Sequence, residues 1–188
     1  MEAIRKKLNA FTEQRNEDWK YFSSKFQLSS YPKKSSLLKV GQVEKKLSFL
    51  EKGILRLYVP KVDNDITLGF VFPRDFVSAY DSFLTQTPSH YQVEALTDAR
   101  LWQITYEDLQ KVYANTKIGN EMGRKSAENL YLIKTKRELA LLTKTAEERY
   151  QDLFSERPEL IQHIPLKYVA SYIGVTPQAL SRIRKRIS

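Results

Sequence analysis

Between Ile164 and Ile187 the order of helix starters and breakers leaves the chain few choices. Pro165 stands where a first helical residue tolerates a missing N–H. Leu166, Val169, Ala170 and Ile173 follow at spacings of three and four, one apolar face of a helix. Gly174 takes the left-handed conformation that ends such a helix, and Val175 is apolar enough to plug a turn. Thr176 is a good N-cap, and Pro177 suits the first position of a second helix. So short a turn sets two helices at a steep angle, which predicts a helix-turn-helix. In the second helix Ala179, Leu180, Ile183 and Ile187 face inward. Gln178, Ser181, Arg182 and Lys185 share the outward face at i, i+3, i+4 and i+7. Gln and Arg suit bidentate contacts to base edges, and Lys and Ser suit phosphates. The expected DNA-contacting set is Thr176, Gln178, Ser181, Arg182, Arg184 and Lys185. Arg186 flanks it.

Charge supports this placement. The 188 residues carry a formal net charge of +9, and Leu160–Ser188 contributes +5 of it through Lys167, Arg182, Arg184, Lys185 and Arg186, with no acid in that stretch. A solvated surface would accept Glu as readily as Arg. A one-signed surface suits a polyanion. The chain has no cysteine, which excludes disulfides, thiolate catalysis and Cys-ligated metals. The basic N-terminus lacks the apolar run of a secretory signal, and no stretch approaches the roughly 20 apolar residues of a membrane span. A cytoplasmic protein without a membrane partner is expected.

Upstream the texture changes twice. Met1 to about Leu28 reads as helical, with Leu8, Phe11, Trp19, Phe22 and Phe26 spaced so that most share a face, and a helix start at Asn16. Ser29–Ser36, with four serines and Pro32, reads as a loop. From Leu37 to about Ile104, short β-branched and aromatic runs (47–50, 54–59, 66–72, 91–96 and 101–104) predict an antiparallel sandwich or barrel. Helices then return. Thr105 caps a helix over 106–113, and a long helix over Thr116–Leu142 carries an apolar stripe of Ile118, Met122, Leu130, Ile133 and Ala140. Gly119 and Gly123 on it permit close approach of another helix. Thr145 and Glu148 form a capping box for a helix ending near Ser155, before Pro158.

The whole chain resembles the Crp/Fnr family of bacterial transcription regulators, particularly its Bacteroidetes-like members. Phe49–Gly53 with Ile54–Arg56 is similar to a strand pair of the cyclic-nucleotide-binding β-roll. Arg74–Val77 is similar to that domain's Gly-Asp-Phe segment, and Ile164–Ile187 is similar to the family's helix-turn-helix. The resemblance implies an α+β chain with an N-terminal antiparallel β-roll over 1–115, a dimerisation helix over 116–142 and a DNA-binding domain over 143–188. It implies double-stranded DNA and a second copy as partners, with RNA polymerase as a further one.

The ligand segment departs from the pattern. Where members that bind cyclic AMP show Gly-Glu, this chain has Ser78-Ala79-Tyr80. Where they show Arg-Ser or Arg-Thr, it has Ser89-His90-Tyr91. Both groups that hold the sugar and phosphate are absent, and a phosphate without its arginine loses a strong charge-assisted contact. No cofactor and no cyclic nucleotide are expected. Ser78, Tyr80, Ser89, His90 and Tyr91 are the candidates to line a pocket for some other small effector, or else fill the roll's core. The recognition helix begins Pro177-Gln178 where the family often has Arg-Glu, while Arg182 falls on a second commonly used arginine position. A DNA site of its own is implied. His90 and His163 have no metal-ligand spacing, and there is no Gly-rich phosphate loop, Gly-x-Ser-x-Gly or carboxylate pair, so no enzyme is expected. The competing reading is a sensing or protein-interaction module that has lost specific DNA binding.

Overall fold

The computed structural model describes residues 1–10, 16–116 and 119–187. Its elements run α1 (Glu2–Asn9), α2 (Asn16–Ser23), β1 (Gln27–Tyr31), β2 (Ser36–Leu38), β3 (Lys46–Lys52), β4 (Leu55–Val59), β5 (Ile66–Val71), β6 (Phe76–Val77), α3 (Tyr80–Thr85), β7 (Gln92–Ala95) and β8 (Ala99–Thr105). Then come α4 (Tyr106–Asn115), α5 (Gly119–Thr143), α6 (Ala146–Glu156), α7 (Pro158–His163), α8 (Leu166–Tyr172) and α9 (Pro177–Ile187). The expected α+β class with a β-roll is present. Two compact units form: Met1–Val59 with Gly69–Asn129, and Pro60–Leu68 with Leu130–Ser188. No helix among the described residues is long and apolar enough to cross a membrane.

Two four-stranded sheets, ordered β1-β8-β3-β6 and β2-β7-β4-β5, make the roll, with residues 66–68 of β5 belonging to the second unit. The strands flanking Gly53, which resemble a strand pair, fall in different sheets. Gly53 turns between them with φ of +103°, and a Cβ there would lie 2.6 Å from the Asp98 carbonyl oxygen. Period-two alternation sorts β3 and β8. Leu47 and Phe49 pair with Ile104 and Trp102, and join Ile4, Leu8, Phe22, Val112 and others in one apolar cluster. Ser48 and Gln103, also paired, point to the other face.

Four expectations change. The N-terminal helix stops at Ser23, Gln27–Tyr31, read as helix end and loop, is a strand, and Ser36–Leu38 opens the expected strand-rich region one residue early. β1 is an edge strand bonded to β8 alone, so serines are tolerated on it and hydropathy does not betray it. Thr116 belongs to the end of α4, not to the long helix: its N–H and hydroxyl both donate to the Val112 carbonyl, at 3.0 and 2.7 Å. Pro158 begins α7 at its first turn rather than only ending α6. Phe11 and Ile118 of the expected apolar faces lie outside the described residues.

The predicted caps are in place. Thr105 accepts the Asp108 N–H at 3.1 Å, and Thr145 and Glu148 form a complete capping box. Gly119 and Gly123 serve contacts within one chain. A Cβ on Gly119 would press on Thr116 and Val112 at 2.6–2.8 Å, and one on Gly123 would press on the Tyr113 ring. The close approach they permit is of α4 to α5.

Candidate nucleic-acid interface

In the second unit Tyr150, Leu153, Leu160, Ile164, Val169, Ala170, Ile173, Leu180 and Ile183 are buried. These residues anchor α6 to α9 around one small core. The end of α8 is closed by local bonds. The Val175 N–H returns to the Ala170 carbonyl at 3.0 Å and the Gly174 N–H to Ser171 at 3.2 Å, the paired bonds of a Schellman turn, with Gly174 at φ of +78°. The next two carbonyls lie beyond the helix's own ladder. Arginines take them: Arg137 donates to Tyr172 at 3.0 Å and Arg149 Nε to Ile173 at 2.9 Å.

The Thr176 hydroxyl accepts the Ala179 N–H at 3.2 Å, so Thr176 acts as the N-cap of α9. Leu180 and Ile183 lock that helix inward, while Gln178, Ser181, Arg182, Arg184 and Lys185 are exposed. Arg186 is exposed too, but pairs with Glu147 of α6 at 2.8 Å. Arg184, Lys185 and Arg186 occupy the last turn, where cations also suit the helix dipole. The dipole gives no reason for Gln178, Ser181 and Arg182 in the first turns, which makes them the informative members of the face. Lys167, on α8, carries its ammonium over the Tyr168 ring.

The first unit holds a cavity of about 260 Å³ on the roll's inner face. Of the five pocket candidates only Ser78 lines it, its hydroxyl donating to the Lys46 carbonyl. Tyr80 stacks on Phe83, and burial pushes its phenol up. Ser89 is buried and closes a local turn with Tyr91. The Tyr91 hydroxyl donates to Asp81 at 2.6 Å, and burial, then Asp81, raise its pKa. His90 is exposed.

The cavity's chemistry comes from residues the sequence did not single out. The Gln103 amide oxygen accepts from Tyr31 at 3.2 Å and Lys46 at 3.4 Å, while its nitrogen donates to Ser48 at 2.9 Å. Glu44 accepts the N–H groups of Lys46 and Ala79 at 3.0 and 3.4 Å, and burial raises its pKa. A carboxylate therefore does stand beside Ala79, delivered from the segment before β3. No arginine lines the cavity among the described residues. No described group of three His, Asp or Glu residues is placed to hold a metal ion.

Residues 28–116 match the cyclic nucleotide-binding domain family. Among solved structures, the c-di-GMP-responsive global regulator CLP of Xanthomonas campestris superposes with a TM-score of 0.69 at 18% identity, covering 92% of this chain and 91% of that one. A protein of Eubacterium rectale described as a candidate transcriptional regulator of the Crp/Fnr family gives 0.71 at 15% identity, covering 92% and 83%. The chain has a Crp/Fnr-like fold. The catabolite activator protein of Thermus thermophilus shares it, with a TM-score of 0.59 at 19% identity and coverage of 96% and 86%. No curated protein sequence matches this Crp/Fnr-like chain.

Proposed function

We propose that this Crp/Fnr-like chain is a dimeric, sequence-specific DNA-binding transcription regulator of the cytoplasm, without enzymatic activity. The observation that carries the reading is the two-sided α9: Leu180 and Ile183 buried, and Gln178, Ser181, Arg182 and Lys185 exposed together behind a capped turn. A helix of this kind offers side chains to major-groove edges while its neighbours meet phosphates. Selection from a random duplex pool tests it. A defined site that survives at ~150 mM salt, with affinity falling steeply as salt rises, is expected. Equal weak binding to every sequence favours the module that has lost specific recognition.

The dimer rests on α5. Leu132, Leu139 and Leu142 are 65%, 55% and 76% exposed and, with Thr135, repeat at alternating spacings of three and four. That is the a/d seam of a coiled coil, and a second copy presenting the same seam covers it. Sedimentation should show a dimer that Leu139→Glu converts to monomer. If Leu139→Glu stays dimeric, the seam is not the interface.

Cyclic AMP is not its effector. The cavity lacks an arginine for the phosphate, and Glu44 already occupies the Ala79 N–H. Any effector is a different small molecule. A calorimetric titration with cyclic AMP is expected to give no binding heat, and micromolar affinity would contradict this.

A further inference from the structure

Ser171 stands next to last on α8 and faces a segment more than one hundred positions earlier in the chain. Its hydroxyl donates to the Asp65 carbonyl at 2.5 Å and accepts the Thr67 N–H at 2.8 Å. The Thr67 carbonyl accepts from Arg137 at 3.2 Å, and the same guanidinium nitrogen donates to Tyr172 at 3.0 Å. That guanidinium lies 4.7 Å over the Tyr172 ring, and Thr67 is fully buried. One hydroxyl and one planar cation thus tie together α5, the Pro60–Leu68 segment and the last turn of α8. Arg137, the Pro60–Leu68 segment and α8 all belong to the second unit.

We propose that Ser171 and Arg137 are positioning residues for α9, holding Pro60–Leu68 as a strap across the end of α8. The inference rests on the DNA-reading role of α9 and adds what aims it. α9 leaves α8 through the short turn at Gly174, so its direction is fixed by the last turn of α8. With 11 residues α9 is about 16 Å long, and a swing of about 10° at the turn moves its far end by about 3 Å. A hydrogen bond to a base does not survive such a shift. Arg137 suits the node because one nitrogen of its planar guanidinium reaches two carbonyls while the plane itself stacks on a ring, and lysine has no such plane.

Hydrogen exchange on the full chain, with DNA affinity measured in parallel on the selected duplex, tests the strap. In Ser171→Ala, exchange is expected to rise about tenfold in 60–68 and at the Gly174–Thr176 amides. Affinity should fall about tenfold with an unchanged salt slope, because the phosphate contacts stay the same in number. Ser171→Thr, which keeps the hydroxyl, should restore both readouts. If Ser171→Ala does not fold, Arg137→Lys carries the same test. Exchange rising in 60–68 alone, with affinity within twofold of the parent, overturns the positioning role. No rise anywhere overturns the strap itself. If the parent chain selects no duplex, the DNA reading fails, and exchange at Gly174–Thr176 still decides whether the strap fixes the turn.

Discussion

Arg149 Nε donates to the Ile173 carbonyl at 2.9 Å and so closes the end of α8 from a helix that starts before it. A charged donor on a half-buried carbonyl is a strong hydrogen bond, and losing it leaves the carbonyl without this partner. Arg149→Met should cost about 1–2 kcal/mol in urea unfolding followed on α8 and α9. Arg149→Lys should recover less than half, because an ammonium lacks the fixed geometry of the guanidinium. An unchanged midpoint for Arg149→Met would show that water satisfies Ile173 as well.

Arg74 adopts φ of +75° where the similar Gly-Asp-Phe segment has glycine. Its backbone is held there, its N–H donating to the Leu50 carbonyl at 2.8 Å and the Asp75 carbonyl accepting from Leu50 at 2.9 Å. A side chain in that region is strained, and glycine is not. Arg74→Gly should stabilise the roll by about 0.5–1 kcal/mol in thermal or urea unfolding, net of the entropy glycine restores to the unfolded chain. A loss of stability would mean that the Arg74 side chain compensates its backbone.

Burial raises Glu44 above the ordinary carboxylate value near 4.5, outweighing the N–H groups that oppose the rise. A raised pKa in the fold favours the protonated form. The stabilising contribution is therefore full below the ordinary carboxylate range and is lost as pH rises through the raised value. Glu44→Gln removes that loss. The difference in melting temperature, Glu44→Gln minus parent, should grow more positive as pH rises past the ordinary carboxylate value near 4.5. A difference independent of pH would place the Glu44 carboxylate in solvent.

Local rules carried the sequence reading furthest. Thr105, Thr145 with Glu148, Gly174 and Thr176 each satisfy a backbone group within a few residues, so residue type and spacing suffice to name them. The outward face of α9 was legible for the same reason, being a matter of helical period. What was missed is long-range. Ser48 meets Gln103, and Arg149 caps Ile173, only because the fold brings together positions 55 and 24 residues apart. Edge strand β1 hid behind its serines, since an unburied strand needs no alternation. Of the pocket candidates taken from the family's ligand segment, Tyr80, Ser89 and Tyr91 hold structural partners instead, while Glu44 reaches the Ala79 N–H from outside that segment.

Arg182 offers the sharpest test of DNA reading by α9. Affinities of the parent chain and Arg182→Ala would be compared on the selected duplex and on its complete set of single-base variants, at one salt concentration. Arg182→Ala should weaken binding to the selected duplex by about 1–3 kcal/mol and lose discrimination at one base position per half-site, leaving the others intact. A loss equal on every duplex would make Arg182 a phosphate contact, and no loss on any would contradict recognition by this face of α9.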